Sequence, residues 1–152
     1  MTKVAHPSKT IAAFAVAFAF ASIILTSTQI RAASEVIIEN PEEVERWYVA
    51  LGSVNRREFG ELITDDAKIV LKDLGIEQTK QEFISALDEW ENATRDANII
   101  YRYESIEDGT ASVLVCYRFK SNEQLNIESF TYLNGQITGS IQDLKGTDCS
   151  VM

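Results

Sequence analysis

The sequence predicts an α+β domain, helices first and antiparallel strands after. Three observations carry that prediction. Residues 40–90 place apolar side chains at helical spacing behind helix-start signals. From Ile99 onward the apolar period changes to two. Two hairpin dipeptides, Asp108-Gly109 and Asn134-Gly135, divide the strand region. Helical runs followed by strand runs are the order of an α+β layering.

Asn40-Pro41-Glu42-Glu43 opens the first helix. Asn is the expected cap, Pro suits the first turn, and Glu43 takes the reciprocal position. Val44, Trp47, Tyr48 and Leu51 form its apolar stripe, and Gly52-Ser53 break it. Asn55 with Glu58 repeats the signal before a short helix carrying Phe59, Leu62 and Ile63, which Asp65-Asp66 end at a turn. Ala67 to Leu71 is a short β-prone run, closed by Lys72-Asp73-Leu74-Gly75. Thr79-Lys80-Gln81-Glu82 is a further capping box, and Phe83, Ile84, Leu87 and Trp90 make the inner stripe of its helix. Strands are then expected over Ile99–Ile106, Thr110–Lys120, Leu125–Leu133 and Gln136–Leu144, with a patternless tail after them.

The N-terminal segment has a different character. Ile11 to Leu25 carries no charge, Lys3, His6 and Lys9 precede it, and no acid occurs before Glu35. A basic stretch, an apolar stretch and small residues afterwards form a secretory signal pattern. Cleavage after Ala32 or Ala33 would leave residues 34–145 as the domain and 146–152 as an irregular tail. The apolar core is shorter than the roughly 20 residues a spanning helix needs. Retained, with residues 10–30 in the bilayer, it would be an inner-membrane anchor; removed, it implies a periplasmic or secreted protein.

Residues 1–33 hold three of the 14 basic residues and none of the 23 acids, so residues 34–152 carry a net charge of −12. Such a surface repels nucleic acid and anionic membrane. His6, the single histidine, also lies in residues 1–33. Without imidazole, a Ser-His-Asp triad, a His-paired Cys nucleophile and most zinc sites are disfavoured; no metal site and no cofactor are expected. Cys116 and Cys149 are the two cysteines. In an oxidising compartment they could form a disulfide; alternatively Cys116 is a free buried thiol on a strand and Cys149 lies loose in the tail.

The order of elements, with Trp47-Tyr48-Val49-Ala50-Leu51, Phe59 to Ala67, Phe83 to Trp90 and the strand pairs split by Asp108-Gly109 and Asn134-Gly135, resembles the NTF2-like superfamily, which includes SnoaL-like cyclases and ketosteroid isomerases. The resemblance covers roughly residues 40–145. It implies helices packed in a strongly curved antiparallel sheet, an open cone or roll whose mouth holds a mostly apolar pocket. In isomerase-like members a carboxylate after the first strand shuttles a proton, while a first-helix phenol and a second acid on the sheet hold the oxyanion.

Carried onto this chain, Asp73 is the nearest match to the base, one residue late; its plain alternative is a solvated turn aspartate. Trp47 falls at the phenol position and Tyr48 one step off. Tyr101, Tyr103, Tyr117 and Phe119 share one parity of two neighbouring strands and are expected to form the inner wall, with Trp90 on the helix opposite. Glu128 faces the pocket if Phe130 and Tyr132 face inward, and solvent if Ile127 does; both parities are partly apolar. Arg102 and Glu104 read as a cross-strand pair on the wet face.

Three functions fit this reading. The first is an exported pocket protein that binds a small, largely apolar molecule. The second is a membrane-tethered interaction subunit that forms a homodimer. The third is an isomerase, cyclase or dehydratase with Asp73 as general base. Enzymatic activity is left open.

Overall fold

The computed structural model describes residues 40–95 and 97–152. The signal or anchor reading of residues 1–33 lies outside the described residues. No helix among the described residues is long and apolar enough to cross a membrane.

The chain forms helices α1 (Glu42–Ser53) and α2 (Arg56–Leu62), strand β1 (Ile63–Leu71), a 3-10 turn (Lys72–Leu74), strand β2 (Ile76–Thr79) and helix α3 (Lys80–Ala93). Strands β3 (Asn98–Glu107), β4 (Thr110–Arg118), β5 (Glu123–Leu133) and β6 (Gln136–Gly146) follow. One sheet contains all six in the order β2-β1-β6-β5-β4-β3. It is mixed rather than antiparallel throughout, because β1 pairs parallel to β6. β1 enters from α2 and leaves into β2, so it meets the last strand of the meander from the same direction. A parallel pair needs a long crossover, and α3 with β3–β5 supplies it.

Local chemistry explains most helix ends. Asn55 caps α2 by accepting from the Glu58 N–H at 3.1 Å. Thr79 and Glu82 form the reciprocal box at α3: the Thr79 N–H donates to the Glu82 carboxylate at 2.8 Å and the Glu82 N–H donates to the Thr79 hydroxyl at 3.3 Å. Thr79→Ala is expected to lower stability by about 1 kcal/mol, read as a fall of a few degrees in Tm with an unchanged circular dichroism spectrum.

The start of α1 departs from expectation. Pro41 occupies the cap, its carbonyl accepts from Val44 and Glu45, and Asn40 bonds the Glu45 side chain instead of capping. Nor does Gly52-Ser53 end α1; the helix runs through Ser53, and Val54 takes the left-handed conformation at φ 52°. Asp65-Asp66 lie inside β1, not at a turn. β1 pairs with β6 at Ile63 and again from Lys68, and the register shifts between them across these two aspartates. β2, the edge strand, carries no period-two apolar signal because its pattern is mostly exposed. The Asn134-Gly135 turn forms as read: both residues have positive φ, 52° and 81°, as a type I′ hairpin requires.

The helices pack on one face of the sheet. Val44, Trp47 and Leu51 of α1, Phe59 and Leu62 of α2, and Leu87 of α3 meet Ile69, Val113, Val115, Phe130 and Ile137 in a single core. Trp47 is its aromatic centre, with ring centroids 5.1 Å from Phe59, 5.0 Å from Phe83 and 5.4 Å from Phe130. The Trp90 indole N–H donates to the Leu51 carbonyl at 3.0 Å, which ties α3 to α1.

The opposite face carries a second, smaller cluster. Cys116 and Cys149 are joined by a disulfide, with Leu125 buried beside them and Leu114 and Met152 packed against them. Here the tail has a defined path. Arg102 donates to the Val151 carbonyl at 2.6 Å, and the Cys149 N–H donates to Glu123 at 3.1 Å. Arg102 also meets Glu104 at 2.9 Å, but along one strand, not across two.

Candidate functional site

The register aligns one lateral row across all six strands: Ile76, Leu71, Gln142, Glu128, Val113 and Tyr103. Because side chains alternate between faces, this row points to the helix side as a set. Phe130 is buried in the core two residues from Glu128, which fixes the parity of β5: even-numbered residues face inward.

Between this face and helices α1 and α3 lies a cavity of about 410 Å³. Trp47, Phe83, Trp90 and Tyr117 supply aromatic wall, while Ile69, Leu71 and Leu87 supply aliphatic wall. Leu74 and Ile76, which are exposed, mark the mouth. The polar lining consists of Gln78, Glu89, Glu128, Ser140 and Gln142. Glu89 is exposed on α3, whereas Glu128 is 2% exposed.

Glu128 is held by two phenols. Tyr48 donates to one carboxyl oxygen at 2.8 Å and Tyr117 donates to the other at 2.6 Å. Burial pushes the Glu128 carboxyl above its ordinary range, and the two phenolic hydrogen bonds oppose that shift. The same burial, with the adjacent carboxylate, holds Tyr48 and Tyr117 far above the usual phenol range. Both phenols therefore stay neutral donors. Further polar groups buried without a hydrogen-bond partner among the described residues are the Trp47 indole N–H and the Asn126 side-chain amide, together with the Thr64 hydroxyl and the Arg118 Nε.

A second carboxylate with two phenols lies one turn earlier on the same side of α1. Tyr101 and Tyr103 both donate to Glu45, Tyr103 at 2.9 Å. Desolvation first, and the Glu45 hydrogen bond second, push Tyr101 up to about 12 and raise Tyr103 as well. Tyr101 stacks on Tyr48 with centroids 4.1 Å apart, so the two pairs are neighbours.

The residues singled out from sequence are distributed as follows. Trp47, Trp90 and Tyr117 line the cavity. Tyr48 is buried behind Glu128 and reaches it only through its hydroxyl. Tyr101 and Tyr103 pack against α1 and engage Glu45 in place of the cavity. Phe119 stacks against Tyr117 and meets Trp90 edge-on. Asp73 is exposed in the 3-10 turn; its neighbours Leu71 and Leu74 line the cavity and it does not. Ser140 and Gln142 escaped sequence reasoning, since nothing in β6 marks which parity faces inward.

No protein-family model matches the sequence, and no curated protein sequence does. Solved structures do. IdmH of Streptomyces antibioticus, a candidate polyketide cyclase, superposes with a TM-score of 0.62 at 13% identity, over 70% of this chain and 93% of that one. The chain has the NTF2-like fold. A candidate ketosteroid isomerase from Kribbella flavida gives a TM-score of 0.59 at 13% identity, over 70% and 77% of the two chains. An NTF2-like protein of unknown function from Cytophaga hutchinsonii gives 0.56 at 8% identity, over 68% and 88%. Identities this low establish the NTF2-like fold alone, and relatives of that fold carry different activities or none assigned.

Proposed function

We propose that this NTF2-like chain is an exported pocket protein that binds one small, largely apolar molecule in its cone. The observation that carries the reading is the 410 Å³ cavity itself, walled by Trp47, Phe83, Trp90 and Tyr117 with Glu128 among its few polar groups. A concave, mainly apolar site with a small number of placed polar groups is the usual form of a small-molecule site. Export is supported by the pattern of residues 1–33, and a disulfide suits an oxidising compartment.

Binding accounts for the site's hydrogen bonding better than enolisation does. An oxyanion site aims free donors at the position where charge develops. Here the hydroxyls of Tyr48 and Tyr117 are both spent on Glu128, and Asp73 is exposed to solvent and not part of the cavity lining. The arrangement presents an acceptor to the cavity.

Native mass spectrometry of the protein purified from the envelope of its own host tests this. The expected result is a chain beginning at Ala33 or Ser34 with a small-molecule adduct that is released on denaturation. A dimer that retains residues 1–33 and carries no adduct would overturn the reading in favour of a membrane-tethered subunit.

A further inference from the structure

The cavity's polar groups are of one electrical kind. Its lining includes two carboxyl groups, Glu128 inside and Glu89 at the exposed edge, and no lysine, arginine or histidine. Among the described residues Glu128 has no cationic partner; its hydrogen bonds come from two neutral phenols. A carboxylate offers about four lone-pair sites, and Tyr48 and Tyr117 take one on each oxygen. A second site on each oxygen is left for a donor in the cavity. A buried carboxylate without a countercharge is costly, so the strongest available partner is one that brings positive charge. Beside it are the faces and edges of Trp47, Trp90, Phe83 and Tyr117, and aromatic rings attract cations. The net charge of −12 over residues 34–152 draws cations toward the mouth and turns anions away. The Trp47 indole N–H, buried and unpartnered on the same wall, adds a donor for an oxygen elsewhere on the ligand.

We infer that the cavity selects lipophilic amines in their protonated form, with the ammonium donating to Glu128 and the apolar body against the aromatic wall. This rests on the proposed pocket function and specifies its ligand class. It excludes fatty acids, other carboxylates and phosphate esters, for which the cavity lining offers no cation.

The test compares three probes with one hydrocarbon body: adamantylamine, adamantanol and adamantanecarboxylate. Each is titrated calorimetrically into the purified full chain at neutral pH. The amine is expected to bind about tenfold to a hundredfold more tightly than the alcohol, the range of a charge-assisted hydrogen bond, and the carboxylate to give no binding. Glu128→Gln should bring the amine down to about the alcohol's affinity, with a much smaller change in the alcohol than in the amine. If that variant does not fold, Glu128→Asp, which keeps the charge and withdraws it by one methylene, should weaken the amine alone. An alcohol that binds as tightly as the amine, a carboxylate that binds better than either, or an amine preference that survives the loss of Glu128 would overturn the inference while sparing the pocket. Failure of all three probes to bind would remove the pocket function with it.

Discussion

Replacing Cys116 and Cys149 together by alanine is expected to cost about 4 kcal/mol of unfolding free energy. The disulfide closes a loop across a sequence separation of 33, and the chain-entropy relation assigns a loop of that length about 4 kcal/mol through restriction of the unfolded chain. The native state loses packing as well, since both cysteines are fully buried beside Leu125. For a domain of this size the corresponding fall in Tm is roughly 10–20 °C. Urea unfolding of the oxidised protein and the double variant measures the change. The slope of unfolding free energy against urea should rise in the variant, because the unfolded chain expands. The tail should also become the first site of proteolysis, with Arg102 to Val151 and the residue-149 N–H to Glu123 among the contacts that remain. A loss below about 1 kcal/mol would mean that the unfolded chain is little constrained by the bond.

The second large effect is expected at Glu128. Leucine at this position leaves the hydroxyls of Tyr48 and Tyr117 buried without an acceptor. Each unsatisfied group costs about 1–3 kcal/mol, offset in part by no longer burying a carboxyl group. The net expectation is a loss of about 2–4 kcal/mol for Glu128→Leu. Much of it should return when Tyr48→Phe and Tyr117→Phe are added, because the stranded hydroxyls are then gone. Recovery of nothing in the triple variant would show that packing, not hydrogen bonding, sets the cost.

Glu128 also gives a pH signature of definite sign. Its carboxyl is raised in the folded state, with burial as the first cause. The folded protein then holds a proton that the unfolded chain releases near the ordinary value of about 4.3. Glu128 therefore contributes its full stability below that value. The contribution falls as pH rises from there through the raised folded value, with a slope of at most about 1.4 kcal/mol per pH unit. Asp65, Glu82 and Asp143 act in the opposite sense, because their partners lower them and their contribution is lost on acidification. The titratable groups that face Glu128, Tyr48 from α1 and Tyr117 from β4, remain neutral throughout. Subtracting the stability profile of Glu128→Gln from that of the wild type isolates the term. The difference should decline with rising pH; a difference that grows with pH would reverse the assignment.

Several features could be read directly from the sequence, and they share one property: each depends on residues a few positions apart. The caps at Asn55 and Thr79 satisfy N–H groups within one turn. The Asn134-Gly135 hairpin follows from the two residues that tolerate positive φ. The shared parity of Tyr101, Tyr103, Tyr117 and Phe119 follows from strand alternation, and all four pack toward the core. The order of helices and strands, β2 excepted, came from these local signals, and the resemblance to the NTF2-like superfamily rested on that order.

The site itself needed the tertiary structure. Whether Glu128 faces the cavity depends on the parity of β5, and there the apolar pattern is ambiguous for a physical reason. Leu125 lies on the outward parity but is buried, because the disulfide-linked tail covers that end of the outer face. The partners of Glu128 lie 80 and 11 residues away, at Tyr48 and Tyr117, distances at which no periodicity operates. The parallel register of β1 on β6 and the inward turn of Ser140 and Gln142 are likewise set by strand registry, and the pairing of Cys116 with Cys149 by the path of the tail over the outer face. The sequence determined the elements and the apolar stripes that drive them together; only the packing of those stripes decided which polar groups were buried with them.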